Sequence, residues 1–142
     1  GAGHTVVDRQ VVEDEPADVG RVIREELARG RARAIITTGG TGITSRDSTY
    51  EVVCNLLDKR LEGFGELFRM LSFAEIGSAA MLSRAVAGTW GGRVVFSVPG
   101  SLAAVRLAWE KLIAPEVGHV LRELKKDAAP LHGQGPAPGR LT

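Results

Sequence analysis

The residues most able to do chemistry lie in one short stretch that is rich in glycine and hydroxyl groups. Three of residues 39–42 are glycine, they follow the apolar run 34–36, and Arg46 and Asp47 come soon after them. Glycines at a turn let backbone N–H groups approach an anion closely. Arginine binds phosphate through parallel hydrogen bonds, and carboxylates are preferred Mg²⁺ ligands. The stretch therefore predicts a phosphate or nucleotide site with Mg²⁺ at the carboxyl end of a buried parallel strand.

This stretch also has a purely structural interpretation. Residues 39–42 lack the ending of a P-loop and the spacing of a dinucleotide fingerprint, so they could equally form a tight turn from strand to loop. Arg46 and Asp47 could form an ion pair that braces the loop.

A second acid, Asp14, follows a valine-containing segment that predicts an imperfect edge strand over residues 6–12. If that strand lies beside the one ending at Thr38, Asp14 and Asp47 share one edge of the sheet. Two carboxylates there could hold Mg²⁺ or bracket a transferring phosphoryl group. The alternative is that Asp14 caps the helix that begins near Pro16.

Two further polar positions follow predicted elements. Gly100 and Ser101 come between a strand and a helix, where the helix start could bind an anion or the residues could form a plain turn and cap. Ser83 and Arg84 could supply a hydroxyl and a guanidinium to a site, or they could simply end a helix.

The hydrophobic pattern predicts the elements that position these residues. Helices are indicated after Pro16 and after Ser48, and the glycine pair Gly91–Gly92 joins two strands of a hairpin. Ser72-x-x-Glu75 predicts a separate short helix, and Pro115 predicts an interruption in the last one. The predicted spans are a strand at 34–38, helices at 16–30, 49–58 and 63–71, hairpin strands at 86–90 and 93–98, and a helix at 101–126.

Bulk composition is that of one ordinary globular domain. The chain has 142 residues, 44% of them hydrophobic and 25% charged, with a net charge of +1 and 5% aromatics. We therefore expect no nucleic-acid or membrane partner. The lone Cys54, the lack of a bilayer-length apolar run and the lack of a signal-peptide pattern lead us to expect a cytoplasmic protein. Residues 1–126 form the predicted domain, and the Gly/Pro-rich residues 127–142 a flexible tail.

Four motifs in order resemble the MoaB branch of the MoaB/Mog family of molybdenum-cofactor biosynthesis proteins. The resemblance runs from residue 1 to about residue 126. The motifs are TTGGTG at 37–42 with Arg46–Asp47, GFGELFR at 63–69, MLSRAVAG at 81–88, and PGS at 99–101. The chain departs from the family pattern at residues 48–50 and at Leu102, and the sequence given starts after most of the strand, loop and helix with which the family pattern begins.

The resemblance implies a fold, an activity and an assembly. The implied fold is an α/β three-layer αβα sandwich with a mostly parallel sheet and a small β-hairpin. The implied activity is Mg²⁺-ATP-dependent adenylylation of molybdopterin, a nucleotidyltransferase reaction that releases pyrophosphate. The family also implies homotrimers or hexamers, with handover to a molybdenum-insertion protein. A non-catalytic molybdopterin carrier or scaffold is the alternative, and a nucleotide-binding module unrelated to molybdenum is a third interpretation.

Motif matching assigns expected roles residue by residue. Asp47 matches the family's essential acid and Asp14 the acid after the preceding strand, so both are expected to be catalytic and to hold Mg²⁺. The positions expected to bind molybdopterin or ATP are Gly39, Gly40, Thr41, Gly42, Arg46, Ser83, Arg84, Gly100 and Ser101.

Overall fold

The computed structural model describes residues 3–13 and 15–131, with side chains as far as residue 126. Helices and strands alternate in its first half, and two consecutive strands precede its last helices. In order they are α1 (Pro16–Arg29), β1 (Ala34–Thr38), α2 (Thr49–Leu56), β2 (Lys59–Arg60), α3 (Glu62–Ile76), a 3₁₀ helix (Gly77–Leu82), β3 (Val86–Trp90), β4 (Arg93–Val98), α4 (Leu102–Ala108), a π-helical segment (Trp109–Ile113) and α5 (Ala114–Leu131).

The four strands form one sheet in the order β1-β4-β3-β2. β1 runs parallel to β4 with Thr38 opposite Val98, so both strands end at the same edge of the sheet. β3 pairs antiparallel with both β4 and β2. The loops that leave β1 and β4 are therefore neighbours.

Helices cover both faces of the sheet. On one face Phe96 of β4 packs with Phe68 of α3 and with apolar residues of α4 and α5. On the other face Val95 packs with Leu27 of α1 and Val53 of α2. Because successive strand residues point to opposite faces, β4 supplies both cores. The predicted three-layer αβα sandwich is confirmed.

Predictions based on local signals agree with the structure. α1 buries its apolar stripe and ends at Gly30, whose φ of 73° is the left-handed conformation of a helix C-cap. The hairpin strands have the predicted bounds, and Gly91 and Gly92 have φ of 52° and 82°, as a two-residue type I′ turn requires.

The segment that we expected to form an N-terminal strand has no strand among residues 3–13, so that prediction is wrong. Val6 is 71% exposed and Val11 is fully exposed, whereas Val12 packs against the core that contains Leu27 and Val53. Asp8 forms an ion pair with Arg31 at 3.2 Å. Polar contacts of this kind and the packing of Val12, and not a sheet ladder, hold the segment against the rest of the chain.

The second half of the chain differs from prediction at two helices. α3 is one helix through Ile76, and Ser72 is buried inside it and starts no new helix. The π-helical segment Trp109–Ile113 lies just before Pro115, where proline has no N–H to donate to the preceding turn. α5 then continues to Leu131, beyond the predicted boundary at Lys126. Residues 132–142 of the predicted tail lie outside the described residues.

Within the described part of the chain, none of the helices has the length and apolar character needed to span a membrane.

Gly88 is the glycine whose replacement we expect to damage the sheet. An added Cβ would collide with the carbonyl oxygen of Lys59 in β2 and would lie 2.5 Å from Cδ1 of Leu57. Gly88→Ala should lower the free energy of unfolding by about 1–3 kcal/mol, because a backbone carbonyl cannot move aside cheaply. Denaturant unfolding measures this effect.

Gly63→Ala is the matched control. A Cβ at this position in α3 would meet nothing within 4 Å, so alanine should raise stability by about 0.5–1 kcal/mol. Equal effects of the two substitutions would contradict the packing argument.

Candidate functional site

The turn after β1 depends on two consecutive glycines. Gly39 and Gly40 have φ of 96° and 72°, which residues with a side chain rarely adopt. A Cβ on Gly40 would also lie 2.6 Å from Cβ of Thr49 at the start of α2. The turn therefore brings bare backbone to the edge of the sheet, as the sequence predicted.

The loop after β4 lies directly beside this turn. A Cβ on Gly100 would lie 3.3 Å from Cα of Gly39, so the two loops touch through backbone atoms. The Gly39 N–H donates to the carbonyl of Val98 at 2.9 Å. The hydroxyl of Ser101 accepts from the Ala104 N–H at 3.1 Å, which makes Ser101 the cap of α4. The structure thus brings Gly100 and Ser101 to the glycine turn.

One amide of the turn is available to a ligand. The carbonyl of Gly40 accepts from the Tyr50 N–H at 3.3 Å. The N–H of Gly40 donates to none of the residues that the structure describes. Gly39 and Gly40 also line a cavity of about 920 Å³. An oxyanion in that cavity would find an unused backbone donor.

Asp47 closes the loop that follows the glycines. Its Oδ2 accepts from the N–H of Thr44 at 2.9 Å and from the Thr44 hydroxyl at 2.7 Å. The bond from the Thr44 hydroxyl is the main cause that lowers the pKa of Asp47, and the Thr44 amide lowers it further. Asp47 is therefore ionised at neutral pH. No ion pair among the described residues joins it to Arg46, which is exposed, so the structure does not support a bracing pair.

The Asp47 carboxylate fits Mg²⁺ only in company with other oxygen ligands. Both hydrogen bonds from Thr44 end on Oδ2, and the Gly42 amide also helps to lower the pKa of this carboxylate. Among the described residues, no group of three or more histidine, cysteine or acidic side chains is arranged to hold a metal ion. Mg²⁺ is commonly held by one or two carboxylates plus water and phosphate oxygens. The residues present suit a cation that arrives with a phosphate ligand.

Asp14, the second predicted metal ligand, lies outside the described residues. The expectation that it shares the sheet edge with Asp47 assumed a strand over residues 6–12. That segment is not a strand, so the argument from neighbouring strand ends no longer applies.

Arg84 braces the glycine loop from behind. Its Nε donates to the carbonyl of Thr41 at 3.1 Å, and its Nη2 donates to the carbonyl of Gly42. Its Nη1 pairs with Glu51, and its guanidinium lies 4.5 Å from the centroid of the Tyr50 ring. The bond to Arg84 lowers the pKa of Glu51. Arg84 therefore joins the loop to α2.

Three residues of this region escaped the sequence analysis. Glu51 and Tyr50 contact Arg84 across 33 residues or more, and no local pattern marks such a pair. Arg69, to which the sequence analysis gave no role of its own, donates to the carbonyl of Ala85 at 3.1 Å. Gly65, four residues earlier on α3, leaves the space that the Arg69 side chain occupies, and this spacing was the available signal.

Four of the nine predicted ligand-binding residues line a cavity, and these four are divided between two places. Gly39 and Gly40 line the larger cavity together with Thr38 and Thr49. Ser83 and Arg84 line a separate cavity of about 270 Å³ on the far side of α2. The structure thus does not bring all the predicted positions into one pocket.

Comparison with known sequences gives one family. A family model described as a probable molybdopterin binding domain matches residues 1–119. Molybdenum cofactor biosynthesis protein B of Halalkalibacterium halodurans is 51% identical over 126 residues, which make up 88% of this chain and 74% of that protein. The protein of the same name from Staphylococcus carnosus is 54% identical over 117 residues, 82% of this chain and 68% of that one.

Solved structures agree with this comparison. A crystal structure of molybdenum cofactor biosynthesis protein B matches with a TM-score of 0.85 at 52% identity, over 88% of this chain and 78% of the other. The tungsten cofactor synthesizing protein MoaB from Pyrococcus furiosus matches with a TM-score of 0.71 at 43% identity, over 79% of this chain and 71% of the other. A MogA structure matches with a TM-score of 0.78 at 30% identity, over 86% of this chain and 78% of the other.

Thr44→Val tests the origin of the low pKa of Asp47. Valine removes the hydroxyl donor and keeps the amide donor, so the pKa of Asp47 should rise toward its ordinary value. A depressed pKa stabilises the fold above the unfolded-state pKa, and this contribution is lost as pH falls through the folded pKa. As pH falls, the variant should therefore lose the stability contributed by ionised Asp47 at a higher pH than the wild type does. A carboxyl ¹³C NMR titration measures the shift.

Thr89→Val, a change of the same shape in β3, is the control and should leave the Asp47 titration unchanged. An Asp47 pKa that is the same in Thr44→Val as in the wild type would contradict the assignment.

Proposed function

We propose a function from one premise: the chain belongs to the family of molybdenum cofactor biosynthesis proteins with a molybdopterin-binding domain. The proposed activity is Mg²⁺-ATP-dependent adenylylation of molybdopterin with release of pyrophosphate. The product would then pass to a protein that inserts molybdenum.

One observation carries this proposal: an ionised Asp47 and an unused Gly40 amide belong to the same glycine loop beside an open cavity. A phosphoryl-type transfer needs donors for phosphate oxygens and an acid for the accompanying cation. The loop offers both without a side chain that would block the approach of a phosphate.

The reaction requires no nucleophile from the protein. A terminal phosphate oxygen of molybdopterin attacks the α-phosphorus of ATP. The bond from that phosphorus to the oxygen bridging to the β-phosphorus breaks, and pyrophosphate leaves with its electron pair. Catalysis then depends on alignment of the two substrates and on preorganised charge.

Each residue of the loop has a defined part in this proposal. The Gly40 N–H donates to a phosphate oxygen, and Arg46, exposed beside the loop, pairs with phosphate. Asp47, held by Thr44, would ligate Mg²⁺, with Asp14 as a second proposed ligand. When bound, Mg²⁺ neutralises charge on the phosphate oxygens. Arg84 acts indirectly, because it fixes the carbonyls of Thr41 and Gly42.

Asp47→Asn tests the proposed metal role. Asparagine keeps the size and one acceptor oxygen but removes the charge, so adenylyl transfer should fall about 100-fold while molybdopterin binding is largely retained. The assay is incubation with molybdopterin and Mg²⁺-ATP, with mass detection of adenylylated pterin.

Asp58→Asn is the matched control. Asp58 also closes a turn with its carboxylate, which accepts from the Gly91 N–H at 2.9 Å, but it lies at the hairpin. The Asp58→Asn substitution should leave adenylyl transfer unchanged. Wild-type turnover in Asp47→Asn would contradict the metal role. Pterin binding without AMP transfer by the wild type would favour the carrier, and ATP binding without pterin affinity would favour a generic nucleotide-binding module.

We also propose that the protein self-associates through an apolar face of α3 and the 3₁₀ helix. Large apolar residues recur every third position along α3 and stay exposed, with Phe73 at 62% and Ile76 at 60%. Monomeric proteins rarely expose contiguous apolar surface of this kind. The residues of this α3 apolar face are Leu67, Met70, Phe73, Ile76, Met81 and Leu82.

Phe73→Glu tests the α3 apolar face. A carboxylate at its centre would be buried without a partner on association, so the oligomer should dissociate. Sedimentation equilibrium gives the mass. Val11→Glu, at an exposed valine outside this face, should keep the wild-type mass. A wild-type monomer, or an unchanged mass in Phe73→Glu, would contradict the proposal.

A further inference from the structure

A second cavity lies behind the glycine loop, between α2, β2, α3 and the segment that follows the 3₁₀ helix. Its volume is about 270 Å³, and it shares no lining residue with the larger cavity beside Gly39 and Gly40. It is therefore a separate place in which a ligand could bind.

The lining of the second cavity carries an excess of positive charge. Three arginines, Arg60, Arg69 and Arg84, face a single carboxylate among the lining residues, that of Glu62. The charge of Arg84 is neutralised by an ion pair with Glu51, which does not itself line the cavity. Arg60 lies against Tyr50 and forms no ion pair with the carboxylates that the structure describes. The cavity thus keeps a cation, Arg60, that has the Glu62 carboxylate nearby but forms no direct ion pair with it.

Arg69 has donors to spare. Its Nη1 donates to the carbonyls of Ala85 at 3.1 Å and Ser83 at 3.4 Å. A guanidinium carries five N–H donors, and those on Nε and Nη2 take part in neither bond. The two carbonyl bonds hold the guanidinium at the cavity wall, so its remaining donors are preorganised.

A buried hydroxyl completes the lining. The Oγ atom of Ser83 is inaccessible to solvent and has no hydrogen-bond partner in the structure. Buried polar atoms are almost always hydrogen-bonded, so an unsatisfied buried hydroxyl calls for an explanation, and an absent ligand is one. Because Ser83 lines the cavity, a rotation about its Cα–Cβ bond would turn this hydroxyl toward a ligand oxygen beside the arginines.

We propose that this cavity is a second anion site, which takes a phosphate-type oxyanion between Arg60, Arg69 and the Ser83 hydroxyl. Arginine forks match the oxygens of phosphate, and charge-assisted hydrogen bonds are the strong ones. The volume exceeds that of the oxyanion alone, and Met81, Ala85 and Val86 give it apolar wall. A phosphate that carries a small organic group therefore fits as well as the free ion.

The second anion site is coupled to the glycine loop through Arg84. The same guanidinium that lines the cavity donates to the carbonyls of Thr41 and Gly42. An anion in the cavity would compete with Glu51 for Arg84 and so act on the position of the loop. This site does not depend on the adenylyl transfer proposed above, and either proposal can fail alone.

The test is titration of the whole chain with inorganic phosphate at constant ionic strength, followed by backbone amide NMR. Saturable shifts are expected at Gly65, Ser83 and Ala85. Arg60→Gln should weaken this binding at least tenfold, and Ser83→Ala should weaken it as well.

Arg106→Gln, at an exposed arginine of α4 that lines neither cavity, is the matched control and should bind like the wild type. Arg69→Lys keeps the charge and is used in place of a neutral variant, since Arg69 also bonds two carbonyls. Thermal unfolding of each variant separates loss of binding from loss of the fold.

A parallel titration with glycerol phosphate identifies the source of the anion. Tighter binding of glycerol phosphate indicates the headgroup of an organic ligand, whereas equal or tighter binding of inorganic phosphate indicates the free ion. The proposal is overturned if phosphate causes no saturable shifts at these amides, or if Arg60→Gln binds phosphate as tightly as the wild type.

Discussion

The parallel pairing of β1 with β4 is the interaction on which the candidate site depends. Its register sets Thr38 opposite Val98, so the loops that leave the two strands start side by side. The hydroxyl of Thr37 donates to the hydroxyl of Ser97 at 2.8 Å, and Ser97 is completely buried, which fixes that register one residue below the site. Two glycine-containing loops can then approach each other through backbone alone, and this leaves the edge open to a ligand.

Arg84 connects this edge with the rest of the molecule. Its guanidinium satisfies two loop carbonyls, one carboxylate and an aromatic face at the same time. Such a fork is rigid because each hydrogen bond fixes the plane in which the others must lie. The glycine loop owes its φ angles to its own residues, but it owes its position relative to α2 to Arg84. The Arg84 side chain therefore contacts the glycine loop and also lines the second cavity.

Several elements were predicted correctly from local signals in the sequence, although the pattern Ser72-x-x-Glu75 started no new helix. The turn residues Gly91–Gly92 set the hairpin, the 3.6-residue stripe set α1, and the glycines after β1 set the turn and its place at the strand end. The sequence was insufficient where tertiary contact decides. Residues 6–12 have strand-like valines but no strand beside them, and Arg84 finds Glu51 only after the chain has folded. The division of the predicted ligand residues between two cavities is likewise a result of packing around α2, which no spacing encodes.

The same parallel pair has a consequence for the order in which the molecule assembles. Thr37 and Ser97 are 60 residues apart along the chain, whereas the hairpin partners of β3 and β4 are neighbours. Closing a long loop costs more entropy than closing a short one, so contacts distant in sequence form later. β1 also lies at the end of the sheet, with a strand on one side only among the described residues. Amide protons of β1 should accordingly exchange with solvent before those of the hairpin, through a local opening that dismantles the glycine turn while both halves of the hairpin stay paired.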